Sequence, residues 1–440
     1  MGYSGKTESK SPIKTLTIIT NHASCSEAEY QLDKFWKLEE ITEAKSYSEE
    51  EIACENHLKE TFSRDSTGRI AVKFPFRESS EKLGSSRNFA IHRLQRRFVK
   101  NQSLSMQYHK FMQEYLDLGH MELIPETDID IPATSSFYLP HHPVPNKIGD
   151  KFRVVFDGSA KSSTGVSLND KLMVGPQLQD DLTTLLIRFR THKIALTADI
   201  EKMYRQVILK DSDFQRIVWR NSPFEPIQDY RLTRIAYGTA STPYLATKCL
   251  QQLAAEEADN FPLASNAIMK DFYVDDLMSG AETLSKAHEL QTQLMQMLSS
   301  AGFSLRKWAS KSNEFLKTID ADLCLKNTSL DLDSENIIKT LGVLWNPADD
   351  VFLFKITPTS FEGTLTKRLL LSTIARTFDP LGWLAPITIK CKLIMQELWK
   401  HKLQWDETIS PNISQEWTKL AEDMMLVKDI KIPRLLSPNK

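Results

Sequence analysis

Phe272-Tyr-Val-Asp-Asp-Leu277 sets two adjacent acids, Asp275 and Asp276, in an otherwise apolar stretch. Burying such a pair is costly, because desolvation and mutual repulsion both oppose ionisation. In a strand the two side chains would point to opposite faces, so both can face one point only where the chain turns. Ile268–Tyr273 and Leu277–Ser279 flank the acids and read as the arms of a β-hairpin with the acids at its tip. Taken alone, the pair is also an ordinary polar turn, since Asp is a common turn residue.

The pair has company. Ile194, Leu196, Ala198 and Ile200 alternate as on a half-buried strand, and Asp199 lies near the end of that strand. Enough chain separates Asp199 from Asp275 for loops and a helix to return a strand alongside. Three carboxylates at adjacent strand ends suit a pair of Mg²⁺ ions. Hard cations take oxygen ligands, and two of them clamp the attacking and leaving oxygens of an in-line phosphoryl displacement. Without a cation the same acids would repel one another.

Around this centre Phe152–Phe156 reads as a strand, and Ser241-Thr242-Pro243 opens a helix running to about Ala258. A second helix starts near Thr283, turns Ala287, Leu290, Leu294, Met297 and Leu298 to one face, and ends near Gly302. Leu305–Trp308 and Leu341–Trp345 read as further strands. Pro and Gly mark loops at Ile131–Asp150 and Asn221–Pro226. Strand, helix, hairpin, helix, strand is the order of an α+β fold, a sheet layered on helices.

The chain has 440 residues, 41% hydrophobic and 25% charged, which excludes wholesale disorder and allows about two to four domains or subdomains. No apolar run approaches the ~18 residues of a membrane span, and Met1–Lys10 is too polar for a secretory signal. Cys25, Cys54, Cys249, Cys324 and Cys391 are widely scattered and read as reduced thiols in an intracellular compartment. A net charge of −2 argues against indiscriminate coating of nucleic acid but leaves room for a local groove. The charge is segregated. Glu27–Glu60 is acidic and reads as a solvated helix or linker, while Arg87, Arg93, Arg96, Arg97 and Lys100 form a basic run that reads as a charged helix face or a phosphate-contacting surface. His141 and His142, without other spaced ligands, read as part of a polar loop rather than a metal site.

Several ordered blocks carry a family resemblance. They are Tyr138-Leu-Pro-His-His142, Arg153-Val-Val-Phe-Asp157-Gly-Ser-Ala160, Thr197-Ala-Asp199-Ile-Glu-Lys-Met-Tyr204, Tyr237-Gly238-Thr-Ala-Ser-Thr-Pro243 and Tyr273-Val-Asp-Asp276. Gly302-Phe-Ser-Leu-Arg-Lys-Trp308, Leu341-Gly-Val-Leu-Trp345 and Phe378-Asp-Pro-Leu-Gly382-Trp-Leu-Ala-Pro386 follow. The series, over about Phe89–Trp405, resembles the reverse transcriptase region of a BEL/Pao-class LTR retrotransposon Pol polyprotein.

The resemblance implies a right-hand polymerase of fingers, palm and thumb, an RNA-directed DNA polymerase (a nucleotidyltransferase) using two Mg²⁺ ions, with Mn²⁺ as a substitute. Asp199 and Asp275 would be the principal metal ligands and Asp276 an accessory one. Arg153 would clamp the triphosphate of the incoming deoxynucleotide (dNTP), with Lys147 or Lys151 as a second contact. Tyr204 would exclude a 2′-hydroxyl. Tyr237-Gly238 would touch nucleotide or template, although relatives often carry Gln or Phe before that glycine. Lys307 is a candidate proton donor to pyrophosphate, and Leu341–Trp345 resembles the strand gripping the primer end. Lys367, Arg368 and Arg376, on a helix expected from about Thr364 to Thr377, would face the duplex backbone, with Leu369, Leu370 and Ile374 inward.

The expected layout is an acidic linker at 1–80, fingers at 81–193 and 207–240, and palm at 194–206 and 241–345, with thumb and the start of a connection at 346–440. Partners would be a primed RNA or DNA template and dNTP, with no membrane. Relatives also carry protease-like, RNase H and integrase regions, which are expected outside this chain. The cytoplasm, inside virus-like particles, is the compartment the resemblance implies, and the oligomeric state is left open. A non-catalytic nucleic-acid-binding remnant is the alternative. A metal-dependent phosphohydrolase would leave the nucleotide-positioning blocks unexplained.

Overall fold

Ile194–Ile200 forms a strand of the expected span, but it is buried on both faces. The computed structural model describes residues 47–77, 83–97, 102–145, 152–222, 224–325, 337–355 and 364–436. Apart from Tyr47 and Ser48 these belong to one unit, Glu49–Lys440. Leu196, Ala198 and Ile200 face one core with the helix Leu284–Ser300, whereas Ala195 faces a second core with the helix Leu182–Phe189. Successive strand residues thus enter different cores, which alternation of hydrophobicity alone cannot reveal.

This strand is central in a four-stranded antiparallel sheet. Asp276–Ala281 lies on one side with Phe272–Tyr273 beyond it, and Leu305–Ser310 lies on the other side. The hairpin arms differ from expectation: Ile268–Lys270 ends a helix, Pro262–Lys270, instead of starting a strand. Helix Thr242–Glu256 has Pro at its first turn, as the sequence suggests. Helix Leu284–Ser300 buries Ala287, Leu290, Leu294, Met297 and Leu298, and the Thr283 side chain accepts a hydrogen bond from the Lys286 N–H at its start. Those five residues are the stripe the 3.6-residue period predicts.

Among the described residues there are also a second four-stranded sheet, two three-stranded sheets and a two-stranded one, so the chain is a mixed helix and sheet protein. From Glu49 onward the acidic segment is a helix, one of its two expected forms, but one face of it is buried rather than solvated. Helix Glu49–Thr61 buries Cys54 and Leu58 in the main core, beside Ile70, Val72 and Phe74. Its Glu55 accepts a hydrogen bond from the Tyr244 hydroxyl (2.8 Å) and pairs with Lys248, which neutralises a charge near the core. His141 is not in a polar loop either. It lies on the strand His141–Pro145, is 4% exposed, and hydrogen-bonds the Val218 carbonyl at 3.0 Å. Burial pushes its imidazole down to about 4.

Leu341–Trp345 is a turn followed by a strand. Ile338–Thr340 pairs with Val343–Asn346, and Leu341 (φ 53°) with Gly342 (φ 84°) makes the turn between them. Two consecutive positive φ values are what a tight two-residue hairpin demands. A Cβ at Gly342 would lie 2.8 Å from the Phe378 ring, so glycine is needed for space as well. Val351–Leu353 and Lys431–Pro433 complete this sheet. Among the described residues between those two strands are the α-helices Lys367–Ile374, Ala385–Lys400 and Pro411–Met425 and the 3₁₀ helix Leu426–Asp429. Among the described residues no helix is long and apolar enough to cross a membrane.

Candidate functional site

Asp199 stands directly opposite Asp276 in the antiparallel ladder, so both side chains leave the same face of the sheet. Asp275 precedes the strand, at the hairpin tip. Val274, just before it, has φ 57°, a strained value for a β-branched residue. That turn lets the next residue be re-aimed, as the sequence argument requires. The tip is gripped by Gln179, a residue the sequence reading missed. Its Nε2 donates to the Phe272 carbonyl at 3.2 Å, and its Oε1 accepts from the Val274 N–H at 3.1 Å. The Ile200 N–H also donates to the Asp275 carbonyl at 2.8 Å. No motif marks Gln179, because its partners lie about a hundred positions away and are backbone atoms.

The Asp199 charge reaches both acids of the hairpin. Burial, then repulsion from Asp275 and Asp199, lifts the Asp276 carboxyl to about 6, while Lys307 pulls it back. Asp275 is raised by burial and by Asp199, and lowered by Lys307 and Arg153. Lys307 pairs directly with Asp199. It reaches there from an irregularity in the strand Leu305–Ser310, where Lys307 itself takes φ 56° and the register shifts between Arg306 and Ala309.

Among the described residues no three His, Cys, Asp or Glu side chains are arranged as a ready metal cage. The acids stand at one end of the sheet, and the Lys307 ammonium pairs with Asp199 there. The donors are carboxylates only, which suits a hard divalent cation such as Mg²⁺ or Mn²⁺.

Tyr204 lies on a short 3₁₀ turn, Met203–Gln206, after the Asp199 strand. Its ring meets that of Tyr237 edge-on, 5.1 Å between centroids. Burial, then Asp275 and Tyr237, raises the Tyr204 phenol to about 12. Burial raises Tyr237 as well, with Arg205 opposing, Asp275 adding and Arg153 opposing. Arg153 is exposed on the strand Phe152–Phe156, and its charge reaches both Asp275 and Tyr237. Gly238 has φ 98°, and a Cβ there would stand 1.9 Å from the Phe156 carbonyl oxygen. Asp199, Asp275, Asp276, Lys307, Arg153, Tyr204 and Tyr237 therefore form one neighbourhood. Lys147 and Lys151 lie outside the described residues.

Of the expected duplex contacts, one is buried and another is exposed within a surface ion pair. Lys367 is 3% exposed, with its ammonium 3.2 Å from the centroid of the Trp399 ring, so it cannot reach a duplex. Its helix spans Lys367–Ile374, shorter than expected, and Leu369 is only partly buried. Arg368 is exposed but already forked onto Asp406 at 2.7 and 3.0 Å. Within the basic run Arg87 is forked onto Asp229 at 2.7 and 2.8 Å, and Arg93 pairs with Asp157. Those two guanidinium groups hold the fold together rather than offering a phosphate surface.

Residues 366–440 match a family model described as Pao retrotransposon-like RNaseH-like domain. This part of the chain is retroelement-related. The match overlaps the stretch expected as thumb and connection. Among curated proteins none matches the sequence. Among solved structures, the chain is similar to the foamy viral protease-reverse transcriptase dRH in complex with ds DNA, with a TM-score of 0.49 and 13% identity over 96% of this chain. It spans 62% of that chain.

Proposed function

We propose that this chain is an RNA-directed DNA polymerase, the reverse transcriptase region of a BEL/Pao-class retrotransposon Pol polyprotein, folded as a right hand around the Asp199 sheet. The observation that carries this reading is the cross-strand pairing of Asp199 with Asp276, Asp275 at the adjoining tip, beside Arg153 and the Tyr204–Tyr237 pair. Carboxylates, a guanidinium and an aromatic wall are the groups a primer end, a triphosphate and a deoxyribose require.

Asp199, Asp275 and Asp276 would hold Mg²⁺, a pair of ions replaceable by Mn²⁺, which when bound supplies charge neutralisation at the attacking and leaving oxygens. Arg153 would bind the dNTP triphosphate through its planar fork. Tyr204, buttressed by Tyr237, would fill the space a 2′-hydroxyl needs. Lys307, released from Asp199, would hold a proton for departing pyrophosphate. Most of the rate would then come from positioning and preorganised charge. The working partners would be a primed RNA or DNA template and dNTP, in the cytoplasm.

A non-catalytic nucleic-acid-binding remnant is the second reading, and the Lys307–Asp199 ion pair is what favours it, because it occupies a ligand. Primer extension separates the two. Purified protein with primed RNA, dNTP and Mg²⁺ is expected to extend the primer, and Asp275→Asn almost not at all. Folded parent protein without extension would favour the remnant reading, and equal extension by both proteins would remove Asp275 from the reaction.

A further inference from the structure

The Tyr237–Gly238 loop and the end of the Arg153 strand come from distant parts of the sequence, and one side chain joins them. Asn169 sits in a single helical turn, Leu168–Lys171, fixed at its start by a reciprocal Ser167–Asp170 capping box. Its Nδ2 donates to the Ser159 hydroxyl at 2.9 Å and to the Gly238 carbonyl at 3.0 Å. Its Oδ1 accepts from the Ala240 N–H at 2.9 Å. Its own N–H donates to the Gly158 carbonyl at 2.9 Å. Both amide hydrogens and one acceptor position are therefore spent on two loops, with the amide orientation fixed by its partners.

The joint has no slack. A Cβ at Gly158 would lie 2.7 Å from both the Asn169 Oδ1 and the Gly238 carbonyl oxygen. A Cβ at Gly238 would strike the Phe156 carbonyl. Two glycines thus let three backbones meet, and the Asn169 amide fills the polar demand between them. Tyr237, next to the joint, is the residue whose ring supports Tyr204.

We propose that Asn169 is a positioning residue for the incoming nucleotide. It locks the Tyr237–Gly238 loop onto the Asp157–Ser159 turn that ends the Arg153 strand, and so sets the gap between the triphosphate grip and the aromatic wall. This role rests on the polymerase reading above. The brace itself does not.

Asn169→Asp tests it, because the variant keeps the shape, loses both donors and sets an acceptor against the Gly238 carbonyl. In primer extension by the full chain, KM for dNTP is expected to rise roughly tenfold, from two lost hydrogen bonds. Discrimination against ribonucleotides should fall and kcat change little, while the thermal midpoint drops by a few degrees as the two donated hydrogen bonds are lost. In hydrogen exchange without substrate, Asn169→Leu, which also removes the acceptor, should make the Ala240 amide and its neighbours exchange faster. Unchanged KM and discrimination, with the parent active, would overturn the positioning role, as would a kcat loss that merely follows lost stability. If the parent itself fails to extend primers, the polymerase reading and the nucleotide role fall together. The exchange result then still decides the brace, which unchanged protection at Ala240 would refute.

Discussion

Replacing Asp276 by Asn is expected to stabilise the cation-free protein, although it deletes a residue at the proposed centre of function. Asp276 faces Asp199 across the ladder, and its carboxyl is raised from 3.8 to about 6. That difference corresponds to about 3 kcal/mol, which partial exposure reduces to about 1–2 kcal/mol. The sign follows from proton counting. Between about pH 4 and about pH 6 the folded chain keeps a proton that the unfolded chain has released, so stability falls as pH rises and stays low above that window. Asn cannot ionise and escapes this loss. Urea midpoints followed by tryptophan fluorescence in chelator should therefore show a small gap between variant and parent at about pH 4 and the full gap at about pH 8. Added Mg²⁺ should raise the parent more than the variant and so close the gap. A variant less stable than the parent at the higher pH, or a gap independent of pH, would refute the argument from burial and repulsion.

The parts of this fold that a sequence can show are those decided by one face of one element. The Ala287–Leu298 stripe is readable because a single helix covers a single core, and the helix buries those residues. Asp199 and the Asp275–Asp276 pair could be placed at one sheet end because an acid in an apolar run has few other locations. What depends on a distant partner could not be read. Lys367 looks solvated by its charge, yet Trp399 and Trp405 cover it from a later helix and the loop beyond. Arg87 looks free until Asp229 is brought to it. Gln179 and Asn169 act on backbone atoms, for which no side-chain pattern is required. Leu341 was misread because a bulky apolar residue in the left-handed region is uncommon, though the following glycine was the available signal.

Three further outcomes bear on the same picture. Tyr204→Ala should admit ribonucleotides more readily in single-turnover extension, since it removes the ring that Tyr237 buttresses edge-on; unchanged selectivity would remove the gate assignment. Lys367→Ala should lower the denaturation midpoint by the equivalent of about 1–2 kcal/mol, the scale of a desolvated cation–π contact, and leave template-primer affinity and its salt slope unchanged. A shallower salt slope would show that this ammonium does reach phosphate. Arg434→Met probes how the segment matching the Pao family model is tied to the rest. Arg434 is fully buried, forked onto Asp350 at 2.5 and 2.9 Å, and donates to the Phe189 carbonyl at 2.7 Å. Methionine fills much of the volume but leaves the Asp350 carboxylate facing a desolvated gap, with Lys311 at 3.2 Å as its remaining cation. Breaking one side of a buried pair costs about 3–5 kcal/mol, and the partial exposure of Asp350 favours the lower end. Because Phe189 ends the helix packed under the Asp276 strand, the loss should also appear as faster hydrogen exchange in that strand. Loss confined to the C-terminal strand, with the Asp276 strand still protected, would show that the two regions are not mechanically joined.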